Sequence, residues 1–400
     1  MPSSILHVIR SVNPALGGPV EVVKQLAQAH RAMGLKVEVA TLDSPRAMWA
    51  KAFPAHALGE RESFTGYGFS KRFVPWLKEN RSKYMAVISH GLWQYHNAGA
   101  WMALRGTDTP YYVFPHGMLD PWFKQAYPLK HFKKRVYWAM RERHVLREAK
   151  AVLFTCEEER RLAEGTFKPW VRDERVVQLG IAPPGENIVV QRTRFFEKFP
   201  RYLDRRLLLF MGRLHDKKGC EMLIEAFGKL AGRIDSAFHL AMAGPCGDED
   251  YLKRLIKLAE SHCPAGSVSF PGMLSGEIKW GALRGAEAFV LPSHQENFGI
   301  AVVEALACGV PVLISNKVNI WSEIVEDRAG IAQADDPAGT FSLLDQWTQM
   351  KDEERESMRK AAFACFTNRF VIERTARELL ALIAPAGDGI DQTDAATHPA

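Results

Sequence analysis

The stretch "SHQENFGIAVVEALACGVPVLI" (residues 293–314) carries two carboxylates eight positions apart, Glu296 and Glu304. From Phe298 to Ile314 the sole acidic residue is Glu304, set among Val302, Val303, Ala305 and Leu306. A carboxylate in such company must find a partner, face a polar cleft or give up its charge. The segment predicts a strand over 288–292, a loop "SHQEN", and a helix through "FGIAVVEALAC" that stops at Gly309. Glu296 then precedes the helix, and Glu304 lies about one and a half turns inside it. Side chains on a helix lean toward its start, so both carboxylates are able to face one ligand. The amides around Asn297–Ile300 form an anion site between them. The alternative is a capping Glu296 and a Glu304 merely paired inside the fold.

Three other stretches hold residues of chemical interest. In "FMGRLHDKKGCEMLIEAF" (210–227), Arg213, Lys217 and Lys218 fall between a strand and a helix. Open α/β sheets bind ligands at such strand ends. Cations there suit a diphosphate, arginine holding two oxygens and lysine acting as a point charge. An ordinary solvated turn is the competing reading. In "NPALGGPVEVV" (13–23), Gly17 and Gly18 let backbone N–H groups approach a ligand, and Pro19 suits a first helical turn. Any tight β–α turn asks for glycine, however, and the spacing is not GxGxxG. In "VFPHGMLDPW" (113–122), His116 follows a strand, between Pro115 and Gly117. Lone histidines are more often structural, but this one stands where a cleft must open.

These residues need elements to hold them. Short apolar runs alternate with longer helical patterns, which predicts parallel sheets covered by helices. The first half offers strands at 5–9, 36–41, 85–89, 111–114, 151–155 and 176–179, with a helix from about Val20 to Met33 after the first. Residues 182–205, rich in proline and charge, read as an interdomain linker. Alternation resumes at 207–212, 237–244, 268–270, 288–292 and 311–314, so each half reads as a Rossmann-like unit. A late helix, "RFVIERTARELLALI" (369–383), precedes a tail whose composition predicts disorder.

Four hundred residues exceed one ordinary core and fit two domains. The net charge of +6 is mild and does not point to nucleic acid. Six cysteines without a CxxC pair give neither a disulfide framework nor a zinc site, and no clear metal cluster is visible. The opening residues lack the basic-then-apolar form of a signal peptide, so a cytoplasmic location is expected. Residues 121–150 stand apart, with nine Lys or Arg against two Glu and with Trp122, Phe123, Tyr127, Phe132, Tyr137 and Trp138 interleaved. That composition suits an anionic membrane surface, or else a helix with aromatics inward and charges solvated.

Taken together, the motifs resemble the GT4-type retaining glycosyltransferases of bacterial polysaccharide assembly, over roughly residues 5–383. "ENFGIAVVE" (296–304) matches their E-x7-E element, "GRLHDKKG" their cationic segment, "GGP" their glycine-rich loop and "PHGMLDPW" an N-domain loop. The resemblance implies the GT-B fold, two Rossmann-like domains facing a central cleft. It implies an acceptor-side domain at 1–185, a nucleotide-sugar domain at 186–368, a helix at 369–385 crossing back, and a disordered tail at 386–400. It implies transfer of a sugar from a nucleoside diphosphate sugar to an acceptor hydroxyl with retention, without metal or other cofactor. By the same resemblance, Gly17, Gly18 and the Phe298 and Gly299 amides approach the donor phosphates, while Arg213 and Lys218 hold the diphosphate. Glu296 binds the donor sugar, Glu304 the ribose, His116 the sugar near its reacting carbon, and Met273 lies by the base. Retention is expected through same-face attack assisted by the leaving phosphate, not through a covalent Glu296 intermediate. A lipid-linked glycan acceptor at the inner membrane face is the expected partner. A nucleotide-sugar epimerase of the same fold and an inactive nucleotide-sugar-binding subunit are the rivals.

Overall fold

A computed structural model describes residues 4–60, 66–122, 124, 128–167, 173–230 and 237–384. The expected tail at 386–400, with Phe123 and Tyr127, lies outside the described residues.

The first sheet contains β1 (Ser4–Ile9), β2 (Lys36–Thr41), β3 (His56–Ala57), β4 (Tyr84–His90), β5 (Tyr111–Phe114), β6 (Ala151–Phe154) and β7 (Glu174–Val176). Its order is β3-β2-β1-β4-β5-β6-β7, with every pairing parallel. The second contains β8 (Arg206–Met211), β9 (Phe238–Ala243), β10 (Val268–Gly272), β11 (Ala288–Leu291), β12 (Val312–Ser315) and β13 (Gly330–Gln333). Its order is β10-β9-β8-β11-β12-β13, again parallel throughout. Parallel strands covered on both faces are buried along their whole length, which is why they read as unbroken apolar runs. Both β1 and β9 are buried at every position. In each sheet the order reverses beside the first strand, at β1/β4 and at β8/β11, and there the crevice outside the strand ends is available to a ligand.

Three expectations need correction. The sixth strand was expected at 176–179, but the ladder with β6 runs over Glu174–Val176. Val177 and Leu179 still donate to Phe154 O (2.9 Å) and Thr155 O (3.1 Å), so the apolar run marks the strand's exit and not its start. Strands β3 and β13 were not expected, being too short or too mixed to stand out. The linker is also shorter than 182–205, because Ile188–Lys198 is a helix with Phe195 buried. Its Gln191 accepts from Arg284 (2.8 Å) on the helix Gly276–Gly285, which ties it to the second domain.

The last helix, Ile372–Ile383, returns to the first domain. There His30 Nε2 donates to Ala376 O (3.0 Å), Thr375 Oγ1 to Gln178 O (2.8 Å), and Val371 bridges Ile181.

Candidate active site

The cationic segment folds as expected just beyond β8. A one-turn helix, Asp216–Lys218, ends at Gly219 in the left-handed region (φ 68°), which turns the chain into the helix Cys220–Leu230. The turn aims Lys218 at the loop after β11, where its ammonium pairs with the Glu296 carboxylate. Lys217 lies close to Glu296, Lys218, Asp120 and Arg213, and its Nζ sits 5.2 Å from the Trp122 ring centroid. Burial lowers the Lys217 pKa to about 8, its neighbour Lys218 adding to the effect and Glu296 opposing it. Arg213 is exposed and has no ion pair among the described residues. Three cations and one carboxylate therefore share the switch point of the second sheet. Such a set is able to clamp a doubly charged group while the carboxylate orients hydroxyls.

Glu304 answers the question its surroundings pose. It is buried in the helix Ile300–Ala307, and its Oε1 accepts from Lys279 Nζ at 2.6 Å. Burial raises its pKa and Lys279 pulls it back down. Lys279, on the helix Gly276–Gly285, was not among the expected site residues. Its signal was faint, one lysine ("GEIKWGALRG") in a half-buried helix that no motif pointed to. Glu304 is thus paired inside the fold, at the fifth of the eight residues of its helix. Phe298 is a core side chain, edge-on to Phe370 at 5.9 Å, so only its amide is available to a ligand. Gly299, at φ 76°, is the N-cap that turns the chain into the helix.

From the first domain, the loop Gly17–Gly18 opens the helix Gly18–Ala32, the element expected at Val20–Met33. Gly17 needs glycine for its conformation (φ 81°) and not for space, since a Cβ there would meet no neighbour. A Cβ on Gly18 would lie 3.5 Å from Ile300 Cδ1, so the glycine loop faces the start of the helix that carries Glu304. His116 also has a left-handed backbone (φ 51°), uncommon for a residue with a side chain. Gly117 follows at φ 74°, and a Cβ there would fall 2.7 Å from Asn297 Cβ. Only glycine allows this approach. The Gly117 amide donates to Glu159 Oε1 (2.5 Å), whose other oxygen accepts from Thr155 N (2.7 Å) and Thr155 Oγ1 (2.6 Å). A buried carboxylate thus anchors the loop that carries His116.

The two domains meet at this point. Gln295 Nε2 donates to Asp120 Oδ2 (3.0 Å) and Asn297 Nδ2 to Thr155 Oγ1 (3.0 Å). The contacts bring the His116 loop onto the Glu296 loop, and the Gly17–Gly18 loop beside the helix start. Met273, 72 % exposed just past the end of β10, is not reached by any of them. Asp120 lay inside a quoted motif without an expected role; its partner Gln295 is adjacent to Glu296, a juxtaposition visible only once the domains face each other.

The basic aromatic segment is mixed in its exposure. Trp138 is buried, and Tyr137 bonds Tyr67 (3.1 Å between hydroxyl oxygens), so two of the four described aromatic anchors turn inward. Instead Leu129, Phe132, Val136 and Met140 form an exposed row (82, 66, 47 and 61 %) along Pro128–Tyr137 and the turn beyond. Lys133, Arg135 and Arg141 flank the row and are exposed. Among the described residues no helix is long and apolar enough to cross a membrane.

Comparison with known proteins places this geometry in context. Residues 17–181 match the family described as glycosyl transferase 4-like domain, and residues 191–364 the family described as glycosyl transferases group 1. A D-inositol 3-phosphate glycosyltransferase of Thermomonospora curvata is 31% identical over 204 residues, 49% of this chain and 46% of the relative. The O-antigen chain mannosyltransferase B of Escherichia coli is 30% identical over 128 residues, 32% of this chain and 33% of the relative. Such matches span between 25% and 57% of the curated relatives' length. Among solved structures, Anabaena HepE in complex with UDP and glucose superposes with a TM-score of 0.76 at 15% identity, covering 95% of this chain and 99% of that one.

Proposed function

The chain belongs to the GT-B glycosyltransferases that join a glycosyl transferase 4-like domain to a group 1 domain, and from that membership we propose that it transfers a sugar from a nucleoside diphosphate sugar to an acceptor hydroxyl with retention of configuration. The observation that carries the reading is the pairing of Lys218 with Glu296 beside Arg213 and Lys217, opposite the Gly17–Gly18 loop and under the loop of His116. Arg213, Lys217 and Lys218 hold the diphosphate and stabilise the charge it gains on leaving. Prearranged charge of this kind is usually the largest catalytic contribution, and it supplies here what a divalent metal would otherwise give. Glu296, already tethered by Lys218, takes hydroxyls of the transferred sugar. Glu304 takes the ribose, sharing its carboxylate with Lys279. The amides of Phe298 and Gly299 add to the phosphate site, Met273 lies beside the base, and His116 meets the sugar near its reacting carbon.

HepE binds UDP and glucose, which supports a nucleotide-sugar donor of this general class. The likeness to an O-antigen mannosyltransferase supports a lipid-linked or polysaccharide acceptor. The exposed row Leu129, Phe132, Val136 and Met140, bordered by cations, fits peripheral attachment to an anionic inner membrane face, where such an acceptor resides.

The test is a thermal-shift screen across nucleoside diphosphates and their sugars, followed by transfer from the best donor to lipid-linked glycans. Preferential stabilisation by one nucleoside diphosphate and its sugars is expected, because ligands of the native state raise its melting temperature. No stabilisation by any of them overturns the donor assignment. A new sugar isomer formed from donor alone identifies an epimerase instead.

A further inference from the structure

Three imidazoles run in file from the core of the first domain to the cleft. His7 lies within β1, His90 ends β4 and His116 follows β5, three strands adjacent in the sheet. His7 Nδ1 is 2.9 Å from His90 Nε2, and His90 Nδ1 is 3.0 Å from His116 Nε2. The His90 and His116 planes differ by 15° with centroids 5.2 Å apart, the separation of two rings meeting edge to edge through that N···N contact. His7 and His90 are 0 and 1 % exposed. The donor site as described uses neither, and polar rings are costly to bury among Val, Ile and Leu unless hydrogen-bonded.

Burial keeps all three rings neutral, lowering His7 to about 3 and His116 to about 4, with His90 also well below its ordinary value. A neutral imidazole has one N–H and one bare nitrogen. Two N–H···N bonds in series therefore allow only two arrangements. If the protons point inward, His116 shows a bare Nδ1 to the cleft and His7 buries an Nε2–H. If they point outward, His7 buries a bare Nε2 and His116 offers Nδ1–H.

The neighbouring histidines favour one arrangement. His7 Nε2 is buried without a partner among the described residues, as are Nδ1 of His30 and Nδ1 of His96. His30 Nε2 is 3.0 Å from Ala376 O and His96 Nε2 is 2.9 Å from His90 O. A carbonyl only accepts, so both rings carry Nε2–H and leave a bare nitrogen unpartnered. Where the tautomer is settled, this cluster buries a bare nitrogen and not an N–H. The outward arrangement treats His7 in the same way.

We propose that His7 and His90 are positioning residues that hold His116 as its Nδ1–H tautomer, so that the cleft meets a fixed N–H donor and not a lone pair. On the transferase reading above, which this rests on for the ligand alone, the N–H is aimed at an oxygen of the transferred sugar. It also means that His116 Nδ1 is not the base that takes the acceptor's proton.

The decisive experiment is nitrogen NMR of the full chain with ring-labelled histidine, His116 being assigned by the signals lost in His116→Gln. The expected result is a protonated Nδ1 and a bare Nε2 on His116 throughout pH 6–8. A bare Nδ1, or an even mixture of tautomers, overturns the proposal. As a second measurement, His90→Phe keeps a ring but removes the N–H that His116 accepts, whereas His90→Gln restores a donor. With the donor and acceptor found above, His90→Phe should lower kcat by about tenfold, the lower end of the cost of losing an orienting partner of a metal-bound histidine. The KM for the donor should change far less, and His90→Gln should recover most of the loss. Equal kcat in His90→Phe and the wild type overturns the positioning role. The tautomer measurement needs no turnover, so a wrong substrate class would leave it intact.

Discussion

Replacing Lys279 by methionine isolates the pair that holds Glu304. The stem is kept and the charge removed, which leaves a carboxylate with 9 % side-chain exposure facing no cation at 2.6 Å. Stripping one partner from a buried pair costs about 3–5 kcal/mol. Lys279 is itself 24 % exposed, so part of its charge is already solvated, and the expected loss at pH 7.5 falls to roughly 1–3 kcal/mol. For a domain of this size that lowers the melting temperature by about 2–12 °C. The pH dependence has a definite sign. Burial already raises the Glu304 pKa and Lys279 opposes the rise, so the variant raises it further. A carboxyl raised on folding favours the native state fully below its unfolded value, about 4.3, and loses that contribution as pH rises through the folded value. The gap between wild type and variant should therefore be widest at pH 7.5 and shrink steadily toward pH 5. The double variant Lys279→Met/Glu304→Gln should recover most of the stability, because no buried charge remains. Urea melts at the two pH values, with Glu304→Gln and the double variant completing the cycle, measure this directly. A deficit equal at both pH values, or absent at pH 7.5, would refute the reasoning.

Three further outcomes follow from the site. Arg213→Ala should lower kcat/KM for transfer by 10²–10³, the usual range for one prearranged charge, while Glu304→Ala chiefly weakens nucleotide binding and Glu296→Ala chiefly impairs transfer; steady-state kinetics beside calorimetric titration separate the three. Nucleoside diphosphate affinity should fall as pH rises through about 8, where Lys217 loses its proton in the free protein, and Lys217→Arg should flatten that profile in titrations from pH 6.5 to 9.5. Flotation with anionic liposomes should carry the wild type upward but not Leu129→Asp/Phe132→Asp, and no flotation of the wild type would remove the membrane assignment.

Much of the fold was legible because parallel strands buried on both faces leave apolar runs too regular to miss. The edges were not. β3 has two residues and β13 mixes glycine, alanine and glutamine, so neither carries an alternation or a run. The linker was overdrawn because proline and charge at its two ends concealed an amphipathic helix between them. At the site, Arg213 and Lys218 stood out on one short turn, and Glu296 and Glu304 on one loop and helix. Lys279, which pairs with Glu304, and the Asp120–Gln295 contact did not stand out, since both depend on how separate elements face each other. The histidine file is the extreme case. His7 and His90 each sit inside or at the end of an apolar strand, and only the order β1-β4-β5 brings them into line with His116.

The return of Ile372–Ile383 has a consequence for biosynthesis. The first domain is assembled from two pieces of chain separated by the 190 residues from Ala182 to Val371, during which the whole second domain is made. At about 5–20 residues per second, a nascent first domain waits roughly 10–40 s for the helix that covers His30 and the helix Gly18–Ala32. Its apolar flank is exposed to the ribosome surroundings for that interval. The second domain, by contrast, can condense in one continuous stretch. The helix Ile372–Ile383 then acts as a latch, completing the first domain only after the second has been made.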